Sequence, residues 1–239
     1  MTIDKIAILT GVSREMGLGY ETARQLKELG FKVFITARNL DKASELAKNI
    51  GVSAKQLDIT NDQSVNQLAK DIEAAFGKLD VLINNAGAYF DQGGQVLAAE
   101  MQFIKDALDT NLLGAWRMIK AFKALLQKSE NGRIVNVSSG AGSFTDPFFG
   151  LENHQGNVPV YAITKLALNG LTVKLSKELK DSKIKVNSVC PGFVATYPGT
   201  EKWGARPVSE GAKGIVWAAT LPDGAPTGKF FRDGELLNW

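Results

Sequence analysis

Tyr161 and Lys165 stand four residues apart in VPVYAITKLALNG, residues 158–170, at the start of an apolar stretch of helical period. The chemistry open to such a pair is proton transfer. A free phenol has a pKa near 10 and keeps its proton at neutral pH. A cation one helical turn away on the same face favours the phenolate. The pair alone is weak evidence, because a chain of this composition holds roughly 0.35 Tyr-to-Lys pairs at this spacing by chance.

A second cluster lies near the start of the chain. TGVSREMGLG, residues 10–19, joins an apolar run, KIAILT, to a helical stretch and carries Gly11, Gly17 and Gly19. Glycines there let backbone amides approach a pyrophosphate at a helix N-terminus, where the dipole favours an anion. A tight strand-to-helix connection is the alternative reading, and the position after the first strand favours the phosphate. The second apolar run ends in TARN. Where an NAD-selective site would often carry an acid for the ribose hydroxyls, this chain carries Arg38. With Arg14 in the glycine loop, that suggests room for the extra 2′-phosphate of NADP(H); a solvated surface arginine is the alternative for each.

The elements that must position these residues alternate. Short β-branched runs (KIAILT, KVFITA, AKQLDI, DVLINN, RIVNVSS, KVNSVCPG) take turns with longer stretches of helical period. The strand runs are apolar on both faces, as in a parallel sheet covered by helices on both sides. Right-handed crossovers make this an α/β, Rossmann-type doubly wound sheet of about seven strands. TNDQ, Thr60 to Gln63, has the spacing of a capping box, and Gly30 follows a helix. No repeat or linker interrupts residues 1–239, so one domain is expected. Irregular stretches fall at 88–100, 140–157 and 195–206, after the carboxyl ends of strands, where open α/β sheets bind ligands.

Composition sets bounds. With 239 residues, 44% of them hydrophobic, the chain can bury a sizeable core without staples. A net charge of +3, its cations interleaved with acids, does not indicate nucleic acid or membrane surfaces as partners. The apolar run after Lys5 is too short for a secretory signal, and no stretch approaches a membrane span. One cysteine, Cys190, excludes an internal disulfide, and no zinc set is present, so no metal is expected and a cytoplasmic location is the default.

Taken jointly and in order, TGVSREMGLG, LDIT, NNAG, TNLLG, RIVNVSS, YAITK and PGFVAT resemble the short-chain dehydrogenase/reductase family over nearly the whole chain. TARN, LDVLINNAGAYF, GRIVNVSSGAG and the ending TLPDGAPTGKFF with a terminal Trp look most like its NADPH-dependent carbonyl reductases. The resemblance implies that Gly11, Ser13, Arg14, Gly17, Leu18 and Gly19 cradle the cofactor, with Arg38 beside them. It implies that Asp58 and the Ile59 backbone meet the adenine, and that NNAG, with Asn85, Ala86 and Gly87, stabilises the sheet and lines the adenine ribose. Pro191, Gly192, Val194 and Thr196 would hold the nicotinamide amide. Asn111, Ser139, Tyr161 and Lys165 would be catalytic, with Tyr161 and Lys165 also touching cofactor. In these roles Ser139 donates a hydrogen bond to a substrate carbonyl, Tyr161 delivers the proton, Lys165 tunes the phenol, and Asn111, in the middle of a long helix, holds a water leading to Lys165. Ser138 is the fallback for Ser139.

Two departures stand out. The glycine loop has two more residues between its first two glycines than the common family spacing, which leaves its path over the pyrophosphate open. The stretch between Ser139 and Tyr161 is longer than usual, so it can cover the substrate mouth, and a homo-oligomer remains an open option. Tyr89, Phe90, Phe148, Phe149, Tyr197 and Trp203 fall in the three irregular stretches and suggest an apolar substrate pocket. His154 reads as a surface residue, Cys190 as a small buried thiol, and Trp239 as packed near the mouth or on the surface. The expected partner is a small carbonyl compound or alcohol. Rival readings are a 3-oxoacyl-thioester or polyol reductase of the same family and, from another class, an NADP-binding regulator without catalysis.

Overall fold

The structure is a computed structural model that describes residues 5–91, 93–153 and 157–239. His154 lies outside the described residues. Eight strands form one sheet in the order β3-β2-β1-β4-β5-β6-β7-β8. They are β1 (Ile6–Leu9), β2 (Lys32–Ala37), β3 (Ser53–Gln56), β4 (Val81–Asn84), β5 (Arg133–Val137), β6 (Lys185–Val189), β7 (Phe230–Arg232) and β8 (Glu235–Leu236). The first seven pair in parallel, and the two-residue β8 turns back antiparallel on β7. That short return strand is the one beyond the seven expected. The sheet runs outward in opposite directions from β1 and β4, and the crevice at that reversal is where such folds take their ligands.

Among the described residues seven α-helices cover it: α1 (Leu18–Glu28), α2 (Leu40–Ile50), α3 (Asp62–Phe76), α4 (Met101–Leu108), α5 (Gly114–Gln127), α6 (Pro159–Glu178) and α7 (Val208–Ala219). β1, β4 and β5 are buried along their length, so every position is apolar or internally bonded. One apolar layer joins the sheet to α3, α5 and α6 through Phe122, Met118 and Leu126. The other joins it to α1, α2 and α7 through Leu26, Ile35 and Ile215.

Two local expectations need correction. α3 begins one residue later than the Thr60 capping box implies. Asn61 is the cap and accepts from Ser64 N, because the Thr60 hydroxyl and N–H both donate to Asp58 Oδ1 and close a turn before the helix. The long helix around Asn111 is also not continuous. α4 passes into a π-turn, Asp109–Leu113, before α5 begins, and such bulges reorient one side chain inside a helix.

Candidate active site

At the carboxyl edge of β5 the chain leaves the sheet through Ser138 and Ser139 and makes a short 3-10 turn, Gly140–Gly142. Strand alternation sends the two serines opposite ways. Ser138 is buried, with no hydrogen-bond partner for its hydroxyl among the described residues. Ser139 is half-buried, close enough to Tyr161 for its hydroxyl to act on the phenol, and its Oγ accepts from Ala141 N at 3.2 Å. Tyr161 and Lys165 share a face of α6. The Lys165 ammonium lies 5.4 Å from the tyrosine ring centre and donates to the Val137 carbonyl at 2.8 Å.

Burial dominates the electrostatics of this pair. It pushes Tyr161 up to about 12, with Cys190 adding to the rise and the Ser139 hydrogen bond opposing it. It brings Lys165 down to about 8. The expected lowering of the phenol by the lysine is therefore outweighed among the protein's own groups, since Lys165 would lose its proton before the phenol ionised. At neutral pH the site holds a protonated phenol beside a largely protonated amine.

The start of α6 explains how Tyr161 is held. The helix opens with Val158 and Pro159 and has no side-chain cap of its own. Asp91, from the loop after β4, supplies one: its carboxylate accepts from Val160 N at 2.9 Å and Tyr161 N at 3.0 Å. A carboxylate there satisfies two free amides and complements the helix dipole. Sequence reading missed Asp91; the only hint was a helix start lacking Ser, Thr, Asp or Asn.

Asn111, in the π-turn, is buried rather than on a half-exposed face. Its Oδ1 accepts from Ala88 N, and its Nδ2 donates to the Ala88 carbonyl and to Thr164 Oγ1, at 2.9, 2.9 and 3.1 Å. The side-chain amide thus ties the loop after β4 to α6. Gly87 sits between Asn111 and the lysine: a Cβ there would lie 3.5 Å from Lys165 Nζ and 3.8 Å from Asn111 Oδ1.

The glycine loop is shaped by close approach. Gly11 has φ +73°, and a Cβ on it would lie 2.6 Å from Ala86 Cα; one on Gly19 would lie 2.6 Å from Asn85 Nδ2. Asn85 braces this loop by donating to the Thr10 carbonyl at 2.8 Å, while Thr10 Oγ1 accepts from Asn85 N and Ala86 N. The two extra residues are taken up in a turn closed by Gly17 N donating to the Arg14 carbonyl at 3.1 Å, so Gly17 still caps α1. Ser13 stays exposed and Leu18 opens the helix. Arg14 and Arg38 do not meet a common group. Arg14 lies 3.9 Å over the Tyr197 ring, on an open groove of ≈ 400 Å³ that also takes in Glu15, Lys42 and Thr196. Arg38 is exposed and faces Asp58 electrostatically. Burial alone would raise Asp58, but Thr60's two hydrogen bonds, with Arg38 and Arg117, hold it below the usual carboxylate value; Ile59 is half-buried beside it. The turn at Pro191 and Gly192 (φ +76°) is held by Arg206, whose Nε donates to the Pro191 carbonyl at 2.8 Å. Thr196 N donates to the Val194 carbonyl at 2.8 Å.

The six aromatic residues expected at the substrate mouth divide. Phe90 meets Tyr161 edge-on at 5.2 Å. Phe149 packs with Tyr161 against Ala141, Val158 and Ala162 and meets Phe148 and Phe193; Phe193 was not foreseen. Tyr89 instead turns to Phe103 of α4 at 5.3 Å, with φ +62°, and Tyr197 is held under Arg14 at the groove lined by Glu15 and Lys42. Trp203 is exposed on the 3-10 turn Thr200–Trp203. Trp239 stacks on Phe230 at 5.6 Å. Among the described residues no cluster of His, Cys, Asp or Glu is placed to hold a metal, and no helix is long and apolar enough to cross a membrane.

A doubly wound sheet with a serine, tyrosine and lysine at this edge defines a class, and comparison with known proteins gives it a name. The family model for short chain dehydrogenase matches residues 5–205, and the chain belongs to that family. It is similar to (+)-neomenthol dehydrogenase of Arabidopsis thaliana, 31% identical over 95% of this chain and 95% of the relative. It is also similar to a 3-oxoacyl-[acyl-carrier-protein] reductase of Synechocystis, 34% identical over 85% of this chain and 79% of that one. Among solved structures, ElxO with NADP bound superposes with TM-score 0.82 at 28% identity, covering 96% of each chain.

Proposed function

We propose that the protein is an NADPH-dependent reductase of aldehydes or ketones, acting reversibly on a compact apolar carbonyl compound. The observation that carries this is the convergence of the Ser139 hydroxyl on a protonated Tyr161 phenol with the Lys165 amine behind it. When bound, NADPH supplies the hydride to the carbonyl carbon. The residues present fit it: the glycine loop is drawn in against Ala86 and Asn85, where a Cβ on Gly11 or Gly19 would collide, and the exposed Arg38 can meet a 2′-phosphate. Gly17, Leu18 and the neighbouring amides would face the pyrophosphate, Asp58 and Ile59 the adenine, and Val194 and Thr196 the nicotinamide amide.

As the carbonyl π pair moves onto oxygen, Ser139 donates a hydrogen bond to that oxygen and holds the carbon in place. Tyr161 then gives its proton to the developing alkoxide, which is far more basic than a phenol even with the phenol raised to about 12. The phenolate left behind sits beside the Lys165 ammonium, which stabilises it and returns a proton. Asn111 and Asp91 fix the backbone on either side of this exchange. Phe90 and Phe149 beside Tyr161 favour an aromatic or alicyclic substrate over a polyol. NADPH oxidation against a panel of quinones, aldehydes, sugars and acyl thioesters tests the reading. Turnover should be highest with the apolar carbonyls, and a clear preference for acyl thioesters would transfer the assignment to the Synechocystis-like activity.

A further inference from the structure

We propose that Arg232 is a positioning residue for the substrate side of the cleft, acting through a buried frame of Asp146, Arg232 and Cys190 that fixes the backbone of Phe148 and Phe149 and sets the Phe149 ring against the turn after Ser139. The proposal rests on the reductase reading and adds to it a determinant of substrate size.

The Asp146 side chain has 0% of its surface exposed and that of Arg232 only 19%. A charge so far from water is tolerated only when paired and fully hydrogen-bonded. Asp146 meets that condition: Oδ2 accepts from Arg232 Nη2 at 2.5 Å, and Oδ1 accepts from the backbone N–H of Phe148 and Phe149, each at 3.0 Å. Burial alone would raise its pKa, but the N–H groups of Phe149 and Phe148 and the guanidinium hold it below the ordinary carboxylate value. The carboxylate therefore fixes the backbone of both aromatic residues, and Arg232 fixes the carboxylate.

Arg232 has a second contact. Its Nε and Nη2 lie 3.4 and 3.2 Å from Cys190 Sγ. The same sulfur accepts from Gly140 N at 3.2 Å and Gly192 N at 3.4 Å. Gly140 follows Ser139, and Gly192 lies in the turn assigned to the nicotinamide end of the cleft. The sulfur thus joins the turn on the proton-donating side to the turn on the hydride side, and Arg232 joins both to the aromatic wall. The fit is close: a Cβ on Gly140 would lie 2.6 Å from both Arg232 Nη2 and Asp146 Oδ2. Ser143 adds a tie to the end of the chain, its hydroxyl donating to the Asn238 carbonyl at 2.9 Å and accepting from Asp146 N at 3.1 Å. Apolar side chains could anchor a loop at lower desolvation cost. A buried ion pair with directed bonds instead fixes one geometry, and here that geometry places Phe149 against Tyr161.

The test compares Arg232→Met, Arg232→Lys and Asp146→Asn with the wild-type chain, using amide hydrogen exchange and kinetics with two probes, a bicyclic aromatic ketone and a short aliphatic aldehyde. In Arg232→Met, Phe148 and Phe149 should lose exchange protection. The value of kcat/KM for the bulky ketone should fall by about 10- to 100-fold, mostly through KM, and far less for the small aldehyde. Arg232→Lys should recover part of both, and Asp146→Asn should shift both in the same direction as Arg232→Met, which keeps the test open if that variant fails to fold. Unchanged protection at Phe148 and Phe149 would overturn the proposal, as would equal losses on the two probes with no recovery by lysine. Exchange needs no turnover, so a wild-type chain that reduced neither probe would count against the reductase reading and leave the frame to be judged by exchange alone.

Discussion

The two ends of the cleft are built by opposite means. At the glycine loop the construction is subtractive: Gly11 and Gly19 omit side chains so that the loop can close on Ala86 and on the Asn85 side chain. At the substrate end it is additive: Asp91 holds the backbone at Tyr161 from 70 residues away, Asp146 holds the nearby backbone of Phe148 and Phe149, and Arg232 holds the Asp146 carboxylate from 86 residues away. The first device tolerates few substitutions, because a side chain at either glycine meets Ala86 or Asn85. The second is spread along the chain, so residue choice there can vary with the substrate while the sheet stays the same.

That contrast fails if substitutions at the two ends behave alike. The largest effect is expected at Gly11→Val, where a side chain meets Ala86 and the backbone is held at φ +73°. NADPH affinity measured by fluorescence titration should fall by about 100-fold or more, with a stability loss of about 1–3 kcal/mol on thermal unfolding. Lys165→Met should lower kcat by about 100-fold. It should also change the pH dependence of stability. The buried amine has a pKa of about 8 against an ordinary 10.5, so between those values the unfolded chain binds more protons and wild-type stability rises with pH. Urea unfolding from pH 7 to 10.5 should show that rise in the wild type and a flatter curve in the variant. Asp91→Ala removes two hydrogen bonds from the start of α6 and should cost about 0.5–2 kcal/mol. It should lower kcat more than it raises KM, with Asp91→Asn keeping most of both. The smallest change is expected at Arg38→Asp, which should shift the ratio of NADPH to NADH affinity by about 10-fold; an unchanged ratio would remove Arg38 from the 2′-phosphate site.

How far sequence could be read follows from the same contrast. β1, β4 and β5 were legible because both faces are buried and the runs are mostly apolar. Ser139, Tyr161 and Lys165 were expected from the resemblance to the family, since the Tyr-to-Lys spacing alone is weak evidence, and the structure brings the three to one sheet edge. Asp91, Asp146 and Arg232 were not, because no local pattern marks an acid that caps a distant helix or an arginine that crosses from β7 to another loop. Tyr89 and Tyr197 show the complementary error. Both lie in loops at the ligand edge, yet contacts with Phe103 and Arg14, set by tertiary packing, decide which way each ring turns. The π-turn at Asn111 escaped notice because its residues are as good in an α-helix, and only its burial against Ala88 and Thr164 selects the wider turn.

The decisive experiment is NADPH oxidation by Tyr161→Phe, which removes one oxygen and leaves the ring contacts with Phe90 and Phe149 in place. Turnover of an apolar ketone should fall by about 100- to 10,000-fold while NADPH binding is retained. Oxidation at the wild-type rate would show that the phenol donates no proton, and the assignment of this site would be wrong.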